Sequence, residues 1–300
     1  MATAVADDPN LRTARWTPYL LSVPGLLCLY FFFLVPLVTL LKIALSVRAE
    51  RGSTQVDFSW EWSNFSKAFT DFGSQLWRAF AYAGIATVLC IVIAYPLAYF
   101  IAFKGGKWKN LLLGLVMVPF FTSFLLRTIA WQSLLADEGP VLGIADRLNM
   151  VGLLDALQIS TDGRIMNTPA AVIGGLTYNI LPFALLPIYV SLEKIQTNLI
   201  DAASDLYASF GRTFRKVIFP LSLPGVFAGT LLTFIPASGD FINQQLLGDP
   251  TKPVIGGVIQ ARFLQSGDYP TAAAISLVLM AMITAAVLVY ARFLGTEDLA

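Results

Sequence analysis

The feature that most constrains this chain is the recurrence of apolar runs about as long as a bilayer is thick. Roughly 20 apolar residues in helical form cross the hydrocarbon core. Six runs of that order occur, at about Tyr19 to Val47, Trp77 to Phe103, Asn110 to Leu135, Thr168 to Leu192, Ile218 to Leu247 and Pro270 to Phe293. A backbone in lipid finds no water for its N–H and C=O groups, so only helices and closed barrels span it. The runs lack the strand-like alternation of a barrel, so the sequence reads as an all-α membrane protein with six transmembrane helices. Of its 300 residues, 56% are hydrophobic and only 13% are charged, where soluble domains hold about a quarter.

The ends of the runs carry further detail. The first lies behind Arg12 and Arg15, exceeds the apolar core of a signal peptide and shows no small-residue cleavage site, so it reads as an anchor that stays attached. Thr168 can cap the fourth run, with Pro169 in the first helical position, and Pro270 opens the sixth in the same way. Cys28 and Cys90 both fall inside runs and read as small buried hydrophobes. The third and fifth runs each read as one crossing, and the prolines inside the runs, Pro119, Pro182, Pro187, Pro224 and Pro236 among them, invite kinks. The expected organisation is a tail at 1–17, one transmembrane domain at 18–295 with a cytoplasmic segment at 193–217, and a tail at 296–300.

Short loops rich in lysine and arginine stay cytoplasmic. That places Arg12, Arg15, Lys104, Lys107, Lys109, Lys194, Arg212, Arg215, Lys216 and Arg292 inside, with both termini cytoplasmic. The stretch 136–167 carries Asp137, Glu138, Asp146, Asp155 and Asp162 against Arg147 and Arg164, and belongs outside. Arg48, Arg51, Lys67 and Arg78 oppose this assignment, but their region is long enough to be translocated despite them.

Several chemistries are excluded. The chain has no histidine, which removes imidazole acid–base catalysis and histidine metal sites. A net charge of +1 offers no field for nucleic acid. Gly105-Gly106-Lys107 sits in a short basic connection and does not form a phosphate-binding loop, so ATP handling would fall to a partner. No nucleophile with a base, paired carboxylates or metal-ligand cluster stands out, so no catalytic residues, metal or cofactor are assigned.

The connection between the fourth and fifth runs is the most specific segment. Leu199, Ala202, Ala203 and Leu206 sit at helical spacing, so a short helix is expected from about Asn198 to Leu206, with Asp201 near its amino end. Ser209 can cap a second short helix whose apolar side is Phe210, Phe214 and Val217. Apolar residues ringed by Asp201, Asp205, Arg212, Arg215 and Lys216 look like a knob for another protein's groove. The alternative is a helix pair lying on membrane lipid, with its basic residues on anionic headgroups.

The run Asp201-Ala-Ala-Ser-Asp-Leu-Tyr-Ala-Ser209 and the later Ile218-Phe-Pro-Leu-Ser-Leu-Pro-Gly225 resemble the "EAA" coupling motif of binding-protein-dependent ABC permeases. Asp201 replaces the motif's glutamate, and Tyr207 stands at its turn glycine, which puts the angle of the turn in question. Pro119-Phe-Phe-Thr-Ser-Phe-Leu-Leu-Arg127, Glu138-Gly-Pro140, Leu181-Pro-Phe183, Ser191-Leu-Glu-Lys194 and Ile255-Gly-Gly-Val-Ile-Gln-Ala-Arg-Phe263 are similar to polyamine (spermidine/putrescine) permease subunits in particular. The resemblance implies a MetI-like type I ABC importer permease in a bacterial inner membrane. It also implies a second permease subunit, two ATP-binding-cassette ATPase subunits, an external solute-binding protein and a small cationic substrate. Asp201, Ala202, Ala203, Leu206, Ser209 and Arg212 would then contact the ATPase.

Charged and aromatic residues within the runs supply candidates for a solute pathway, because charge is costly there. Asp240, helped by Asn243 and Gln244, is placed to meet an ammonium group, and Trp131 and Tyr178 offer faces for cation–π contact. Arg127 is a poor cation ligand, and an ion pair between Arg127 and Asp240 is the competing reading. A secondary transporter or channel acting without an ATPase, and an importer of another small solute, remain as alternative functions. A carrier of the first kind has no need of a docking knob.

Overall fold

The computed structural model describes residues 17–48, 55–148, 150–156, 159–161 and 163–294; Arg12, Arg15, Arg51, Asp162 and the tails before 17 and after 295 lie outside that set. Among the described residues five helices are long and apolar enough to cross a membrane: Tyr19–Ala44, Gly73–Lys104, Pro169–Glu193, Phe210–Gly239 and Tyr269–Phe293. Two further helices, Gly106–Phe121 and Phe124–Arg147, are bent by 91° to one another and together count as the third of six candidate crossings in chain order, Tyr269–Phe293 being the sixth.

The second, fourth and fifth crossings pack into the centre of the molecule. Small side chains make that possible. Ala83, Ala86, Cys90, Ala94 and Ala98 follow helical spacing along one face of the second crossing, and all are fully buried. Between the fourth and fifth crossings the backbones nearly touch. A β-carbon at Gly225 would lie 2.4 Å from the Pro187 carbonyl oxygen, and one at Gly229 would lie 3.2 Å from that of Ala184. In lipid, close approach of this kind replaces the hydrophobic effect as the source of helix association. Tyr95 and Ser222 share a 2.8 Å hydroxyl–hydroxyl bond, and the Cys90 thiol donates to the Thr177 carbonyl at 3.3 Å.

A second cluster forms on the sixth crossing. Ala273, Ala274 and Leu277 receive Leu40, Ile43 and Ala44 from the end of the first crossing. There the chain turns into a small antiparallel hairpin, Ser46–Arg48 with Val56–Phe58, and then into the helix Ser63–Thr70. The buried Asn64 amide donates to the carbonyls of Ala44 and Ser46 at 3.0 Å each, which supplies partners at a helix end that would otherwise lack them.

Several expectations need correction. The third run is not one straight crossing. Pro119 lies in a 3-10 turn, Val118–Phe121, and Thr122 and Ser123 after it are extended, with ψ of 155° and 137°. The Thr122 hydroxyl donates to the Pro119 carbonyl at 2.6 Å and stabilises the break. The fifth run also stops early, at Gly239; Asp240 is extended and a separate helix, Ile242–Leu247, comes after it. The fourth and fifth helices, by contrast, continue through Pro182, Pro187, Pro224 and Pro236. Cys28 is exposed on the first helix, while Cys90 is buried as expected. The cap at the fourth crossing forms as read, with Thr168 Oγ1 accepting from the Ala171 amide at 3.2 Å.

Candidate functional site

The connection between the fourth and fifth crossings folds as a helix, Thr197–Asp205, followed by a turn at Leu206 and Tyr207. Leu199, Ala202 and Leu206 are exposed, while Ala203 is half-buried and Ile200 packs against the core. The apolar stripe is therefore turned outward, with Leu206 at 81% exposure. Because the helix begins at Thr197, Asp201 sits in its middle and not in its first turn, so the expected dipole contribution there is lost.

Tyr207 has φ +55°, the left-handed conformation that the motif's glycine would adopt freely. A side chain in that region costs roughly 1–2 kcal/mol. The turn is nevertheless closed by backbone bonds, Tyr207 N–H to the Ser204 carbonyl at 2.9 Å and Ala208 N–H to that of Ala203 at 3.0 Å. The bulky residue thus keeps the glycine's geometry, and its ring, 95% exposed, meets nothing that would force the turn open.

Ser209 stands at the next N-cap without a side-chain capping bond. The separate second short helix expected after it does not form. Phe210–Gly239 is one helix of 30 residues, passing through a π-helical turn at Phe214–Ile218. Its start is packed by aromatic rings: Phe210 lies 6.1 Å from Tyr99, and Phe214 lies 5.7 Å from Tyr95. Arg212, Arg215 and Lys216 line an open cleft of about 490 Å³ beside Ser209. Just before the segment, Lys109 and Glu193 form a 2.6 Å ion pair that ties the third crossing to the end of the fourth.

Within the membrane-spanning region the pathway candidates gather around the break in the third crossing. Trp131 and Tyr178 meet edge to face at 5.5 Å, and Phe120 lies 6.3 Å from Tyr178. The Arg127 guanidinium sits 4.3 Å from the centre of the Phe120 ring. Next to these residues in sequence, Thr128 and Asn179 begin a buried polar chain. The Asn179 amide donates to Thr128 Oγ1 at 3.0 Å and to Asn243 Oδ1 at 3.1 Å. Asn243 in turn donates to Asp240 Oδ1 from its side chain at 3.1 Å and from its backbone at 2.9 Å. The Asp240 carboxylate therefore accepts from the first turn of the helix Ile242–Leu247, just past the end of the fifth crossing at Gly239.

The Arg127–Asp240 ion pair does not form. Nε and Nη1 of Arg127 are buried without a hydrogen-bond partner among the described residues, and the Asp240 carboxylate is held by Asn243. Gln244 is buried apart from this chain of bonds, donating to the carbonyls of Asp249 and Lys252. It borders a cleft of about 290 Å³ with Tyr82, Arg164 and Asp249, where hydrogen bonds from Thr251 hold the Asp249 carboxyl below the usual carboxylate range. Phe120, Thr128 and Asn179 were not among the sequence candidates. An asparagine in the middle of an apolar run is itself a signal, because an unsatisfied amide is expensive in lipid. Among the described residues no group of three or more His, Cys, Asp or Glu side chains could hold a metal ion.

The chain is 37% identical over 265 residues to the spermidine/putrescine transport system permease protein PotB of Haemophilus influenzae, covering 88% of this chain and 89% of that protein. It is 41% identical over 208 residues to PotB of Escherichia coli, covering 69% and 73%. Its fold matches a chain of a bacterial alginate ABC transporter solved with a periplasmic protein bound to an alginate pentasaccharide. The TM-score is 0.66 at 15% identity, over 96% of each chain. Residues 94–295 match the family model described as the binding-protein-dependent transport system inner membrane component, and to that family this chain belongs.

Proposed function

We propose that this chain is the permease subunit of an ATP-driven bacterial importer for a polyamine such as spermidine or putrescine. It works beside a second permease subunit, two ATPase subunits that bind the nucleotide, and an external solute-binding protein. The observation that carries this reading is the segment Thr197–Tyr207, a helix with Leu199, Ala202 and Leu206 exposed on its surface, closed by a left-handed turn that leads into a crossing. A free-standing carrier has no use for such a surface, whereas a motor subunit needs one to grip. The substrate rests on the identity with the PotB permeases. It is also chemically consistent with a carboxylate, Asp240, and ring faces at Trp131 and Tyr178 near one another in the bundle.

In this reading both termini and the 193–217 segment are cytoplasmic, and 136–167 faces outward. Asp201, Ala202, Ala203, Leu206, Ser209 and Arg212 touch the ATPase, and its movements drive alternating access of the pathway. Asp201→Lys tests it in the complete transporter reconstituted in proteoliposomes. Uptake of labelled spermidine should fall at least tenfold, and the yield of ATPase subunits retained on a tagged permease should fall with it. Retention and uptake both unchanged would reject the docking surface. Uptake by liposomes holding this chain alone would reject the ATP-driven reading.

A further inference from the structure

We infer that Arg127 is a resident cation that occupies the substrate's aromatic seat, so that an entering polyamine has to displace it. The inference rests on the polyamine reading above. A guanidinium in this position is not a packing default. Two of its nitrogens are buried without an acceptor, and an unmet donor on a charged group costs more than an exposed one. What it does have is a ring face, Phe120 at 4.3 Å, with Phe124 at 5.9 Å, and Tyr178 and Trp131 alongside. That is the environment an alkylammonium ion seeks.

The carboxylate that would complete such a seat has been kept from Arg127. Asp240 receives only the neutral donors of Asn243 and forms no ion pair among the described residues. A carboxyl group and a guanidinium thus stand apart in one region, linked on the Asp240 side by the Thr128–Asn179–Asn243 chain, with no ion pair between them. A polyamine ammonium would find Asp240 attractive and Arg127 repulsive. Like charges at contact distance in a half-buried site do not coexist, so seat and substrate exclude one another. The hinge for exchange is adjacent: Arg127 lies in the first turn after the 91° break, and any change in that angle moves the guanidinium relative to Phe120.

The test is equilibrium binding of labelled spermidine and putrescine to the complete transporter in nanodiscs without solute-binding protein. Arg127→Met should bind spermidine about tenfold more tightly than wild type, and putrescine with a smaller gain, because the removed repulsion scales with ligand charge. Arg127→Lys, which keeps the charge, should stay near wild type. Where Met impairs assembly, Arg127→Gln takes its place as the neutral variant. Binding that is unchanged or weaker in an assembled neutral variant overturns the inference, as does a Lys variant that follows the neutral one. Wild-type uptake of spermidine is measured in parallel in proteoliposomes that hold the complete transporter together with its solute-binding protein. Its absence rejects the polyamine reading itself, whereas uptake together with unaltered binding in the neutral variant rejects only the role of Arg127.

Discussion

The first and fourth crossings make an instructive pair. Tyr19–Ala44 has a mean hydropathy of 2.4 and is not buried at all over its most apolar window, whereas Pro169–Glu193 has 1.7 and is 61% buried. The more apolar helix is the more exposed one. In water this order would be inverted, but lipid tails solvate leucine and phenylalanine as well as a protein interior does, so apolarity alone recruits no neighbours. The fourth crossing is held by what it lacks in bulk and by a few polar atoms. Ala184 lies against Gly229, Gly175 meets Leu247 and Asn243, and Asn179 bonds to two other elements. The first crossing presents Leu20, Leu21, Phe31, Phe32 and Phe33, large side chains suited to acyl chains.

Three substitutions would break or sharpen this contrast, each read by thermal unfolding of the purified chain in detergent. Gly225→Val comes first, because its new side chain would press on the Pro187 carbonyl and on Ser191, and backbone cannot yield as a rotamer can. A loss of about 3 kcal/mol is expected; a neutral result would mean that the crossings are not held by close approach. Asn179→Leu should cost about 1 kcal/mol, since it removes the donor shared by Thr128 and Asn243 while raising apolarity. Stabilisation by this change would show that hydropathy governs burial after all. Phe32→Ala, at a site 81% exposed, should fall within about 0.5 kcal/mol of wild type. A larger loss would reveal a contact partner for the first crossing within the chain.

The same contrast explains what could be read in advance. Position and number of the crossings were legible, because a run of apolar residues has no other stable use in a chain this poor in charge. So was the helix at 197–205, from its 3–4 spacing. The breaks at Thr122–Ser123 and Asp240 were not, since proline is scattered through several runs and helices tolerate it at Pro182 and Pro224 while giving way near Pro119. Local sequence does not say at which proline the helix will give way; at this one the Thr122 hydroxyl and amide both turn back to the Pro119 carbonyl. Arg127, Trp131 and Tyr178 proved to be neighbours, but the residues that join them to Asp240 were hidden in apolar runs as an isolated threonine and an isolated asparagine.

The continuity of Phe210–Gly239 has a mechanical meaning. Thirty helical residues extend about 45 Å, so a tilt of roughly 5° about one end sweeps the other through about 4 Å. The turn at Tyr207 lies just before one end of this rod, and the carboxylate of Asp240 lies just beyond the other. Between them the helix runs on through the π-helical turn at Phe214–Ile218 and through Pro224 and Pro236. A tilt of that size applied at the Tyr207 end would therefore arrive at the Asp240 end as a shift comparable to the diameter of an ammonium group.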